Sequence, residues 1–158
     1  MKDKLPVKVK IEGKEYVTNY EEELKSSEAT INENLIEQAP LFAWYAQLAV
    51  LAKAQVDDRK LDLANLDANL GDEYRKKIMN AGEKVIEKKV ADLVEKDARH
   101  VEAVVVLNFA LKTHGQLNAI TRAFDHRKEM VSVLASNMRK EADTGVSLGK
   151  TVRKKNGE

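Results

Sequence analysis

The chain has no cysteine, two prolines, seven glycines and an aromatic content of only 5%. Without cysteine there is no disulfide, no thiolate zinc site and no thiol nucleophile. So little proline, glycine and aromatic content argues against sandwiches and barrels, whose turns and cores consume those residues. A large charge of one sign is also missing. Charged residues make up 34% of the chain, yet the formal net charge is +1. Contact with nucleic acid must then come from a local patch, or from many copies of one. No long hydrophobic run exists either. The most apolar stretch, Ala103 to Ala110, is interrupted by Asn108 and falls far short of the ~20 residues that span a bilayer. The opening MKDKLPVKVKIEGKEY alternates charge with apolar residues and has no secretory pattern. These features lead us to expect a soluble cytoplasmic protein with no membrane partner.

What is present is Ala, Leu, Val, Lys and Glu at helical spacing, in a chain of 158 residues, enough for one ordinary domain. Val7, Val9 and Ile11 alternate with Lys8, Lys10 and Glu12; Gly13 and Glu15-Tyr16-Val17 follow. This pattern predicts a short β-hairpin. Thr18 or Asn19 is placed to cap an acidic helix running to about Gln38. Pro40 suits the first turn of a new helix. In it Trp44, Leu48, Ala52, Val56, Arg59, Leu63, Leu66 and Leu70 recur at steps of three and four. Gly71-Asp72 is a candidate bend and Asn80-Ala81-Gly82 a stop. A short amphipathic helix is predicted over 83–97, and a long one from about Ala98 to Ala142. Three segments result: 1–39, hairpin and acidic helix; 40–142, helical core; 143–158, a basic mobile tail. The expected architecture is mainly α, an antiparallel hairpin of long helices with a short connecting helix and a small N-terminal β-hairpin.

In the last helix Val106, Ala110, Thr113, Leu117, Ile120, Phe124, Arg127, Val131, Leu134 and Met138 alternate steps of four and three, a heptad seam. Val104, Val105 and Leu107 widen its apolar face and suggest more than one neighbour. A helical hairpin buries little by itself, so the pattern predicts a homo-oligomer. Trp44, Leu48, Val106, Leu117, Ile120, Phe124, Val131 and Leu134 are the expected interface residues.

Catalytic and cofactor signatures are not found. His114 and His126 lie ~18 Å apart on one helix, and no His-Glu-x-x-His pattern occurs. His100, Arg122, Asp125 and His126 read as surface polarity. Gly145 to Thr151 ends in Gly-Lys-Thr but misses the phosphate-loop spacing by one residue. We therefore expect neither an enzyme nor a cofactor. The densest basic clusters are Arg75-Lys76-Lys77 and Lys84, Lys88, Lys89, with Arg59 and Lys60 upstream. Repeated around an oligomer, these eight residues would form a path for a phosphate backbone. Arg127, at the seam, is expected to pair with a carboxylate across an interface.

From Leu41 to Lys140 the order of features resembles phage recombination mediator proteins of the UvsY type. It runs from a Trp-containing helix with Leu66-Asp67, through YRKKIMNAGEKVIEKKVADLVEKD, to a long helix closing on FDHRKEMV. The resemblance implies a non-enzymatic homo-oligomer in the host cytoplasm that binds single-stranded DNA. It further implies displacement of a single-strand-binding protein and loading of a RecA-like recombinase. A competing reading, a coiled-coil adaptor or assembly chaperone without DNA affinity, explains the heptads and the near-zero charge equally well.

Overall fold

A computed structural model describes residues 7–144. Strands β1 (Val7–Ile11) and β2 (Lys14–Thr18) pair antiparallel, with Ile11 opposite Lys14. Glu12 and Gly13 form the two-residue turn, with φ of 49° and 81°. Positive φ at both positions matches the twist of the flanking strands, and glycine carries the second at no steric cost. The turn is pinned to the helices by the Glu12 N–H, which donates to Gln55 Oε1.

The expected acidic helix is only one turn, α1 (Tyr20–Glu23), followed by a 3-10 turn at Glu28–Thr30. Then α2 (Ile31–Asn80) runs unbroken for 50 residues, through both Pro40 and Gly71. The boundary expected at 39/40 therefore falls inside a helix. Tertiary packing overrides the proline: Ile31, Asn34 and Gln38 before it, and Tyr45 and Leu48 after it, are all buried. Gln38, Asn34 and Tyr45 all meet the same stretch of the last helix, at Phe124 and Arg127. α2 ends as the sequence suggests. Gly82, at φ 73°, donates to the Met79 carbonyl, and Glu83 donates to that of Ile78, a Schellman closure.

Helix α3 (Glu87–Lys96) is shorter than expected and docks Val90 and Val94 on Leu70 and Ile78. Asp97 is extended and breaks the chain before α4 (Ala98–Thr144). Its carboxylate accepts the Arg99 backbone N–H at 2.8 Å, capping α4. Helices α2 and α4 are antiparallel, since rising numbers in one meet falling numbers in the other. Asn34 and Gln38 meet Arg127, Tyr45 stacks on Phe124, and Asp67 meets His100.

The main core joins Val9 and Ile11 to Tyr45, Leu48, Ala49, Ala52, Leu117, Ile120 and Phe124. This settles where the heptad seam goes. Leu48, Leu117, Ile120, Phe124 and Val131, expected between copies, are buried inside one chain. Trp44 and Val106 remain 39% and 42% exposed, and Leu134 is half-buried. A heptad seam specifies a helical partner but not whose helix it is, and here α2 supplies it. Arg127 is likewise internal. Its Nη1 donates to Gln38 Oε1 and its Nη2 to Asn34 Oδ1, so two amide oxygens hold it in place of the expected carboxylate.

Candidate nucleic-acid interface

The α2–α3 turn sets the position of six of the eight candidate cations. The Schellman closure reverses the chain, so Arg75, Lys76 and Lys77 on the last turns of α2 share one end of the molecule with Lys84, Lys88 and Lys89. Arg59 and Lys60 stand apart, roughly 24 Å back along α2.

Carboxylates claim half of the set. Arg75 bonds Asp72 and Glu87, Lys77 bonds Glu73, Lys89 bonds Glu83 and Arg59 bonds Asp62. Glu87 and Asp72 raise the Arg75 pKa, and Glu73 raises that of Lys77. The carboxyls of Glu73, Glu83 and Glu87 are held below their ordinary range by the same partners. Among the described residues Lys60, Lys76, Lys84 and Lys88 form no ion pair within 4 Å, and all four are exposed. Lys60 does lie in the field of Asp57. The sequence showed eight equivalent cations; the structure separates four free from four engaged. Such exposed pairs are weak, because water and salt screen them, so phosphate can exchange for carboxylate at small cost.

A second polar cluster lies beside this end and had no local signal in the sequence. Asp97 accepts from Tyr74 Oη at 2.9 Å and from the Arg99 side chain, while Arg99 also reaches Glu73. The Arg99 guanidinium, the Arg99 backbone N–H and the Tyr74 hydroxyl together hold the Asp97 carboxyl far below its usual range. His100 Nδ1 meets Asp67 at 2.7 Å. Tyr74 and Asp97, Glu73 and Arg99, and Asp67 and His100 are 23, 26 and 33 positions apart, so only the packing of α2 against the start of α4 unites them. Lys77 also lies 5.0 Å over the Tyr74 ring.

The acidic residues of α1 do not screen the basic end of their own chain. Glu23 is tied to the Tyr45 hydroxyl at 2.7 Å, and Tyr45 is ~45 Å along α2 from Arg75. No group of metal-ligating side chains occurs among the described residues, and no described helix is long and apolar enough to cross a membrane. The near phosphate-loop at 145–151 and the basic tail lie outside the described residues. No family model, curated protein or solved structure matches the chain.

Proposed function

We propose that the chain is a homo-oligomeric single-stranded DNA-binding recombination mediator, which helps load a RecA-like recombinase onto DNA coated by single-strand-binding protein. The observation that carries the DNA-binding part is the shared location of Lys76, Lys84 and Lys88. Among the described residues they form no ion pair; they are exposed, and the α2–α3 turn brings them to one end of the α2–α4 hairpin. A cluster displayed at one end gains most from repetition in an oligomer, where each copy adds its cations to a common phosphate track. Exposed Val101, Val105, Val106, Phe109 and Leu111 on α4 supply apolar surface for such contacts. The role as mediator rests on the resemblance described above.

The test is anisotropy of a labelled single-stranded oligonucleotide over a salt series. Replacing Lys76, Lys84 and Lys88 by Ala should weaken binding at least tenfold and flatten the salt dependence. Replacing Arg75, Lys77 and Lys89, which must first leave their carboxylates, should weaken it less. Wild-type protein that binds no oligonucleotide at low salt sinks the reading.

One observation favours the runner-up, a coiled-coil adaptor or assembly chaperone without DNA affinity. Half of the candidate cations are already neutralised within the chain. That reading predicts a helical oligomer with a protein partner and no salt-sensitive oligonucleotide binding.

A further inference from the structure

Helices α2, α3 and α4 leave an open cleft of about 690 Å³ between them. Its apolar lining comes from Val90 and Val94 of α3 and from Val101, Val104 and Val105 of α4. Val101 and Val105 are 50% and 61% exposed, so the described residues leave the α4 side of this lining uncovered. Three carboxylates, Asp67, Glu87 and Glu95, line the cleft with Arg75 and His100. Arg75 is bound to Glu87 and Asp72, and His100 meets Asp67. That leaves Glu95 as the carboxylate with no partner side chain among the described residues. Phosphate would be repelled here; an occupant must combine apolar side chains with positive charge.

One stretch of this chain has that chemistry. Residues 145–158 carry Val146, Leu148 and Val152, with Lys150, Arg153, Lys154 and Lys155 crowded into six positions. Reach decides which copy they meet. From Val101 to Thr144, α4 is ~65 Å long. From Thr144 to Lys155 the chain spans at most ~40 Å fully extended. The basic segment therefore falls short of the cleft of its own chain by some 25 Å.

We propose that the cleft is the docking site for residues 145–158 of a second copy of this chain, with Glu95 receiving its basic side chains. This deepens the self-association part of the proposed function and rests on that part, not on DNA binding. A contact between one end of a copy and the opposite end of the next is heterologous, so it builds a closed ring or a filament. In a ring it would bring each basic α2–α3 end beside the next copy.

The absence of native cysteine makes the test direct. Full-length Glu95→Cys and Lys154→Cys chains are mixed and treated with a short bismaleimide. The expected product joins one chain of each kind, and a chain carrying both substitutions should crosslink between copies. Charge reversal gives an independent readout by sedimentation. Glu95→Lys alone, or Lys154→Glu alone, should weaken self-association at least tenfold, and the two together should restore it to within about threefold. A crosslink within one chain, or products joining only like chains, overturns the proposal. So does self-association indifferent to reversal of Lys154. Oligonucleotide binding by the same variants separates the outcomes. An oligomer that still binds DNA but ignores the reversals refutes the docking alone. A wild-type chain that stays monomeric refutes the self-association reading with it.

Discussion

At the scale of single residues, Arg127 and Asp97 are the informative cases. Arg127 is 4% exposed and hydrogen-bonded to two amide oxygens, and burial pushes its pKa down. Gln38 in turn donates to the Phe124 carbonyl, and Asn34 to Thr30. This buried polar chain fixes which turn of α2 faces which turn of α4. Replacing Arg127 with Met orphans both amide oxygens and should cost roughly 2–4 kcal/mol in urea unfolding. Changing Asn34 and Gln38 to Leu as well should return much of that loss, because an apolar substitute leaves no group unsatisfied. A triple variant no more stable than the single one would refute the role given to the amides. Asp97 gives a pH prediction. Its folded pKa lies below its ordinary value of 3.8, so its contribution is complete above that value and is lost as pH falls through the folded one. Asp97→Asn should lower stability at neutral pH and flatten the decline below about pH 4, read as thermal midpoints across an acid series. Of these residues the sequence marked only Arg127, as a charge at a seam position. Its partners, 89 and 93 positions away, carried no local pattern.

At the scale of elements, the helical spacing located α2, α3 and α4, and the alternation at Val7–Ile11 located the hairpin. The sequence misled at Pro40, where local preference says start and the packing on α4 says continue. That continuation has a cost, because Pro40 cannot donate to the Ile36 carbonyl and its ring crowds it. Pro40→Ala should therefore stabilise the chain by about 1–3 kcal/mol in denaturant unfolding; a destabilised variant would show that the proline is accommodated without strain. Gly115 is a second soft point within α4. A Cβ there meets nothing within 4 Å, so Gly115→Ala should add about 0.5–1 kcal/mol. The aromatic pair shows the limit of periodicity. Trp44 and Tyr45 are adjacent; the expected stripe is buried at Leu48, Ala52, Val56 and Leu70 and is one position off at its start. Tyr45 is the buried one, stacked on Phe124 with ring centroids 4.8 Å apart. Adjacent positions differ by only 100° around a helix, and the wide apolar face of α2 admits either.

At the scale of the whole molecule, two long helices pack side by side, and the β-hairpin covers them around Tyr45, Ala52 and Leu117. Most of the expected oligomer seam lies in the core of the single chain, and Trp44 and Val106 of that set remain exposed. The candidate DNA interface was legible as a basic cluster. Its division into free and engaged cations was not, because the carboxylates at Glu73, Glu83 and Glu87 look like simple dilution until the α2–α3 turn brings them to their partners. The central claim is that copies of this hairpin assemble and present their basic ends to a single strand. Sedimentation of the full-length chain with and without a single-stranded oligonucleotide, at low and high salt, tests it most directly. The account predicts an oligomer in both salts, co-sedimenting with DNA at low salt and releasing it at high salt. A chain that is monomeric in both, or an oligomer that leaves the oligonucleotide unbound at low salt, would contradict it.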